Sequence, residues 1–323
     1  RLAALAEPHA ETLAELLRQL QAEDALGGTG YDDVAVEALL KEVAGAMPPA
    51  DDPGPQVDRA AELQAKWGTA LGQAWTLGEH RLVCGDCTDP AVVASVMQGE
   101  RADMMFTDPP YGVAVGDKNK FLNSIARSNR VEENLMNDTL DEPALAALLA
   151  ATFDNALAVC TAGGAWYVAA PPGPLHLLFG QALKERGVWR QIIHWVKNNA
   201  TFAPLGVDYH WQEEPIFYGW KPGAAHRFYG GRQQTTVWEI DRPQKSPEHP
   251  TMKPVELVER AVTNSSLRGD IVFDPFVGSG TTLIACERLA RKCRAVELSP
   301  AYVAVTLQRW ADMTGQMPRL LES

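Results

Sequence analysis

Two short segments carry residue types whose spacing can do chemistry. The first is Thr107-Asp108-Pro109-Pro110-Tyr111-Gly112, which closes the apolar run at 102–107. Successive prolines fix the backbone and remove donors, so the Asp108 carboxylate and the neighbouring carbonyl are held rigidly. An amine conjugated to a heteroaromatic ring is a poor nucleophile, because its lone pair is delocalised into the ring. A fixed carboxylate and a carbonyl that accept its two N–H groups favour a pyramidal nitrogen with the lone pair aimed outward. Tyr111 adds an aromatic face on which an unstacked base can lie. A Pro-Pro turn with a surface tyrosine is common on its own; at the end of a buried strand, beside a nucleoside site, it is not.

The second segment, Ile271 to Thr282, reads strand, turn, helix, with Gly278 and Gly280 in the turn. The glycines permit a tight turn and close approach of a ligand, and the following helix presents free N–H groups and partial positive charge. Nineteen residues after Gly278, at the end of the next predicted strand, stands Glu297, placed to accept bonds from both hydroxyls of a ribose. The pattern departs from the dinucleotide fingerprint, since Leu283 occupies the third glycine position. Asp274 would repel a pyrophosphate and suits a cationic or amino-bearing ligand. S-adenosylmethionine carries both a sulfonium and an ammonium. A lone G-x-G would be an ordinary turn; Asp274 and Glu297 together favour a nucleoside.

Elements that would position these segments follow from hydrophobic periodicity. Strands are predicted at 81–84, 102–107, 164–170, 191–196, 271–273 and 294–298, and helices at 90–97, 145–159, 176–186, 255–265, 281–290 and 300–310. Such alternation implies a mostly parallel sheet covered on both faces. Upstream, Leu13, Leu16, Leu17 and Leu20 recur at helical spacing, and Asp32 to Val43 is amphipathic. A Pro- and Asp-rich stretch at 46–58 reads as a linker, so residues 1–58 are predicted as a helical N-terminal segment with linker and 59–323 as the catalytic domain.

The 323 residues carry a net charge of −12, which speaks against a nucleic-acid partner until its distribution is considered. Residues 1–64 hold 13 acidic and 4 basic side chains, and the remaining 259 hold 28 and 25. The main body is therefore near neutral and can carry a basic face. Five scattered cysteines give no disulfide framework, and Cys84-Gly-Asp-Cys87 lacks the second ligand pair a zinc site needs, so no metal is expected. The chain opens on Arg1 rather than Met, so its natural start is expected upstream. No leader pattern and no uninterrupted apolar run of about 18 residues is seen, so a cytoplasmic location without a membrane partner is expected.

Asp108-Pro-Pro-Tyr111 together with Phe273-Asp-Pro-Phe-Val-Gly-Ser-Gly280 resembles the amino-methyltransferases of DNA, and His249-Pro-Thr-Met-Lys-Pro254 resembles their segment ahead of the cofactor turn. The catalytic turn comes first and the cofactor turn last, as in the circularly permuted β group of restriction-system, cell-cycle and phage methylases. The resemblance covers roughly residues 75–312. It implies a Rossmann-like α/β fold with a seven-stranded sheet, with S-adenosylmethionine over its C-terminal edge and no metal. It implies that Asp108, Pro109 and Pro110 hold the target amine and that Tyr111 stacks on a base flipped from double-stranded DNA. It assigns Phe273, Asp274, Phe276, Gly278, Ser279, Gly280 and Thr281 to the cofactor pocket, and Glu297 with Leu298 to the ribose. Asp86 and Cys87 fall near the cofactor's adenine, and Lys253 faces its methionine end.

Two segments are candidates for DNA contact. One follows the catalytic turn and carries Lys118, Lys120, Arg127 and Arg130. The other, 221–249, is a candidate short target-recognition region, with Arg227, Arg232, Arg242 and Lys245 among Phe228, Tyr229 and Trp238. About thirty residues is short for a dedicated recognition domain, which implies a short or relaxed site or a partner subunit. Residues 1–45 resemble the tail of a ParB-like region, with a simple helical appendage as the alternative, and self-association into a homodimer is left open. The family tends to place Asp before the two prolines for N6 of adenine and Ser for N4 of cytosine, so Asp108 favours adenine. The alternatives are N4-cytosine methylation, methylation of RNA or of a protein glutamine, and a DNA-binding or partition protein without catalysis.

Overall fold

Met104 and Phe106 lie in one buried cluster and Met105 in another on the opposite side of the sheet. The same alternation sets Val272 against Phe273, and Ala165 and Tyr167 against Trp166 and Val168. Side chains that alternate between two apolar clusters mark strands buried on both faces. The computed structural model describes residues 10–22, 25–33, 35–36, 51–111, 140–201, 208–241 and 252–321. Among these, the strands are β1 (Ala74–Leu77), β2 (His80–Cys84), β3 (Ala102–Thr107), β4 (Cys160–Ala169), β5 (Trp189–Thr201), β6 (Trp211–Trp220), β7 (Val237–Glu239), β8 (Ile271–Asp274), β9 (Lys292–Glu297) and β10 (Arg319–Leu320). The helices are α1 (Ala10–Ala22), α2 (Ala60–Trp67), α3 (Pro90–Met97), α4 (Glu142–Val159), α5 (His176–Glu185), α6 (Val255–Ser265), α7 (Thr281–Arg288) and α8 (Pro300–Thr314).

One sheet takes all ten strands in the order β10-β1-β2-β9-β8-β3-β4-β6-β5-β7. The five strands from β2 to β4 are parallel, and β6 runs antiparallel between β4 and β5. The expected seven-stranded sheet is the run from β2 to β5; short β1 and β10 extend one edge and β7 the other. Helices α6, α7 and α8 cover one face, and α3, α4 and α5 the other, giving a Rossmann-like α/β/α sandwich. The chain moves one way from β8 to β9 and the other way from β3 to β4, so β8 and β3 flank the topological switch point. Ligands of open α/β sheets bind in the crevice at the carboxyl ends of such strands.

Helix starts match their signals. Asp89, Asp141 and Ser299 each accept a backbone N–H at the N-terminus of α3, α4 and α8, and a proline stands in each first turn. Among the described residues α4 alone is long and apolar enough to cross a membrane. Its Leu145, Leu149, Phe153 and Ala156 pack on the sheet, which accounts for the apolar stripe.

Strands β1, β6, β7 and β10 and helix α2 were not expected. Strand β6 carries Gln212, Glu213 and Glu214 directly after its first residue and contains Pro215, which disguises an interior strand. The described part of the linker, 51–58, is not free chain: Asp52 and Gln56 bond Arg309 and Asp312 of α8. Leu17 of α1 packs with Val36, Tyr229 and Leu267.

Candidate active site

At the switch point Thr107, the last residue of β3, donates its hydroxyl to Asp274 Oδ1 of β8 at 3.0 Å. This bond joins the two segments singled out above across 167 positions of sequence. Asp274 also accepts the Phe276 N–H at 3.0 Å and is almost wholly buried. Burial pushes its carboxyl up to about 7, against hydrogen bonds from Thr282, Phe276 and Thr107 that pull it down.

The glycine turn is built as its sequence requires. Gly280 has φ +89°, and a Cβ there would come within 2.8 Å of the Thr306 methyl. Gly278 has φ +55°, and a Cβ there would meet nothing within 4 Å, so the turn opens on free space. Thr306 donates to the Gly278 carbonyl at 3.0 Å, and Arg309 donates to that of Ser279 at 3.0 Å. Arg309 also reaches the Thr281 hydroxyl at 3.4 Å. Glu297 closes the turn from β9: its Oε2 accepts the Gly278 N–H at 2.9 Å and its Oε1 the Ser299 N–H at 2.8 Å. Burial raises the Glu297 pKa despite these bonds. The Leu298 N–H also bonds this carboxylate, which still has acceptor capacity for a further donor.

Beside the turn, Asp86 Oδ1 accepts from the Thr88 N–H and hydroxyl, with Asp86 exposed. Leu298 and Phe276 are partly buried. Two of the expected pocket residues point elsewhere. The Phe273 ring is fully buried on the α3–α4–α5 side of the sheet, because its strand parity is opposite to that of Val272. The Cys87 thiol bonds the Thr152 hydroxyl at 3.5 Å beneath α4, and the Cys87 carbonyl is taken by Asn155.

On the catalytic turn Pro109 is buried, and Asp108, Pro110 and Tyr111 are partly so. Asp108 Oδ2 accepts from Lys253 Nζ at 2.7 Å, whereas Asp108 Oδ1 is buried with no partner among the described residues. The Lys253 ammonium also meets Tyr111 OH at 3.1 Å and Glu214 Oε2 at 3.1 Å, and lies 5.2 Å from the centre of the Tyr111 ring. This corrects the expectation that Lys253 faces a methionine moiety, since its ammonium donates to Asp108 and Tyr111 and is ion-paired with Glu214. Burial alone would lower its pKa, but the carboxylates of Asp108 and Glu214 outweigh it and hold the value above normal. Glu214 is paired in turn with Lys197. Neither Glu214 nor Lys197 was singled out in the sequence. Strand parity is the signal: Lys197 follows Ile193 and Trp195, and Glu214 precedes Ile216 and Tyr218, so both occupy core-facing positions.

The DNA-contact candidates divide. Lys118, Lys120, Arg127, Arg130, Arg242 and Lys245 lie outside the described residues. Arg232 is exposed on a turn. Arg227 is ion-paired with Asp103 at 2.7 Å. Asp103 stands near the start of β3, about 16 Å of strand from Asp108. That corrects the expected place of Arg227 on the DNA face, because it neutralises a carboxylate at the opposite edge. The aromatic residues of that segment face inward too: Tyr229 and Trp238 are buried and Phe228 packs on the core.

Comparison with known proteins bears on this geometry. A family model described as DNA methylase matches residues 102–308. The Type II methyltransferase M2.MboI of Moraxella bovis is 27% identical over 246 residues, or 71% of this chain and 87% of that protein. The solved structure of TTHA0409 from Thermus thermophilus, complexed with S-adenosyl-L-methionine, is 25% identical with a TM-score of 0.52, over 73% of this chain and 96% of that one. A cytosine-N4-specific enzyme, the PvuII DNA methyltransferase, shares the fold at 14% identity and a TM-score of 0.55, covering 74% of this chain and 90% of its own. A family match that runs from the first residue of β3 into α8 shows that the chain belongs to the N6/N4 DNA methylase family.

Proposed function

We propose that this chain transfers a methyl group from S-adenosylmethionine to N6 of adenine in DNA. The single observation that carries the reading is the Asp108 carboxyl, with one oxygen held by Lys253 and the other buried without a partner among the described residues. A buried unpaired acceptor costs about 1–3 kcal/mol, and such a cost at a rigid turn marks a place for an incoming donor. An exocyclic amine offers that donor. Asp108 Oδ1 accepts one N–H and the Pro109 carbonyl the other, which draws the lone pair out of conjugation and orients it.

The cofactor is S-adenosylmethionine, and the residues at the turn fit it. Gly278 borders open space, Glu297 has lone pairs for ribose hydroxyls, and buried Asp274 complements a cationic ligand. When bound, it supplies an electrophilic methyl. The chain's own residues orient the amine, shield the site and hold Tyr111 as a platform for a base flipped out of the duplex. Asp rather than Ser at 108 supports adenine over cytosine. The catalytic turn precedes the cofactor turn, in keeping with the permuted β group, and the Type II relatives support a restriction–modification role. Residues 112–136 remain the proposed DNA-contacting segment and 1–58 and 59–323 the proposed segments, the first of these either the tail of a ParB-like region or a simple helical appendage. The test is transfer of labelled methyl to unmethylated DNA followed by nucleoside mass analysis. N6-methyladenine supports the whole reading, N4-methylcytosine moves the base, and no labelled nucleoside despite cofactor binding overturns it.

Two expected results concern the cofactor. Glu297→Ala raises the S-adenosylmethionine dissociation constant by about 10–100-fold, or ~1–3 kcal/mol, since the ribose partner and the clamp on Gly278 are both lost. Isothermal titration calorimetry measures this directly, and an unchanged constant removes Glu297 from the site. The second follows from Asp274, whose carboxyl titrates at about 7. A cationic ligand binds better beside the ionised form, so affinity rises with pH up to about 7 and then levels, with proton release on binding below that point. The same calorimetry in buffers of different ionisation enthalpy detects the released proton.

A further inference from the structure

The Asp108 carboxylate ends a buried chain of alternating charges that begins on the neighbouring strands. Lys197 of β5 pairs with Glu214 Oε1 of β6, Glu214 Oε2 faces Lys253 Nζ at 3.1 Å, and Lys253 donates to Asp108 Oδ2 at 2.7 Å. The side chains of Lys197 and Lys253 are 2% and 6% exposed, so neither ammonium is neutralised by water. Buried ion pairs of this kind are poor sources of stability compared with apolar packing, which leaves their retention to be explained by function. The charges along the chain cancel in pairs: Lys197 with Glu214, and Lys253 with Asp108. An extra carboxylate therefore reaches Lys253 without adding net charge to the pocket.

We propose that Glu214, balanced by Lys197, is a positioning residue that fixes Lys253 so that it binds one oxygen of Asp108 and leaves the other for the target amine. The inference rests on the methylase reading above and deepens it. Lys253 is the only described ammonium in contact with Asp108, and the groups facing it are Asp108 and Tyr111 from the catalytic turn and Glu214 from β6. Two of these are carboxylates, so the ammonium is held between Asp108 and Glu214. With Lys253 directed at Oδ2 and at Tyr111 OH, Oδ1 keeps its orientation and the tyrosine ring is tethered in the same step. If Glu214 loses its charge, burial works against the ammonium with one carboxylate left to oppose it, and the ammonium deprotonates at lower pH. Neutral Lys253 no longer anchors Asp108 electrostatically.

The experiment compares the full chain with Glu214→Gln, which keeps size and shape. S-adenosylmethionine affinity should stay within about twofold, and kcat for methyl transfer to DNA should fall about tenfold or more with a smaller change in KM. The alkaline limb of the kcat profile should move down by about one pH unit or more relative to the unmutated chain. Lys253, followed by 15N NMR of its Nζ, should titrate lower in the variant. Glu214→Asp, which restores the charge, should recover part of both. A variant profile superimposable on that of the unmutated chain, or an unmoved Lys253 titration, overturns the inference and leaves the methylase reading standing. If the unmutated chain transfers no methyl to DNA, the methylase reading fails and this inference with it. If Glu214→Gln does not fold, Lys197→Met supplies the second variant: with its counter-ion gone, Glu214 is expected to bind Lys253 more strongly and shift the same limb upward, and a downward or absent shift overturns the proposal.

Discussion

Replacing Asp108 by alanine is expected to lower methyl transfer by about a thousandfold or more while leaving the S-adenosylmethionine dissociation constant within about threefold. Both carboxyl oxygens are lost, including Oδ1, which is buried without a partner among the described residues. The remaining Lys253 ammonium keeps Glu214 as a partner and stays in place, although it then shares that single carboxylate with Lys197. Thr107 still bonds Asp274, so the cofactor turn keeps its support from β3. Asp108→Asn retains an acceptor oxygen but loses the charge that pairs with Lys253, and should fall between the two. Single-turnover rates with labelled cofactor, set beside calorimetric binding, separate the effects. A complete loss of cofactor binding would move Asp108 out of the amine site.

The second large effect is on stability. Arg309→Met is expected to destabilise the fold by about 3 kcal/mol, because a partner is removed from a buried pair. The Arg309 side chain is 1% exposed and grips both oxygens of Asp52, at 2.9 and 2.6 Å, while also holding the Ser279 carbonyl. Burial alone would raise the Asp52 carboxyl, but the guanidinium outweighs it and holds the pKa below the ordinary 3.8. A depressed carboxyl contributes its stability above its unfolded value and loses it as pH falls through the folded one. The difference between parent and variant should therefore be full at neutral pH and shrink only below about pH 4. Urea unfolding of both proteins across that range checks it. Equal midpoints at pH 7 would mean that the Asp52 contact contributes nothing.

The main fold and the two turns were legible because each of their signals is local. Prolines and Asp or Ser caps mark the starts of α3, α4 and α8, and Gly278 and Gly280 mark a turn in which a side chain at 280 would collide with Thr306. What stayed hidden depends on which way a residue faces across distance in sequence. Arg227 with nearby Tyr229 and Trp238 has the composition of a nucleic-acid surface, yet the arginine neutralises Asp103, 124 positions earlier, and the rings face inward. Glu214 and Lys197 share the parity of core residues in their own strands, but the pairing of β5 with β6 that brings them together leaves no mark in either segment. Lys253 stands out through its motif, but its partner Asp108 lies 145 positions away and could not be read from the neighbouring residues.

The placement of β8 and β9 between β2 and β3 has a consequence for how the protein is made. These strands are the last of the parallel block to be synthesised, and they separate two of the first. While the ribosome works from Thr107 to Asp274, a distance of 167 residues, the strand Ala-Asp-Met-Met-Phe-Thr has no partner on its β8 side. At synthesis rates of about 5–20 residues per second, that edge is bare for roughly 8–33 s. The nascent chain thus presents a hydrophobic strand edge beside the unfinished catalytic turn throughout that interval, and a chaperone that shields such edges should raise the yield of folded enzyme more than slowing translation would.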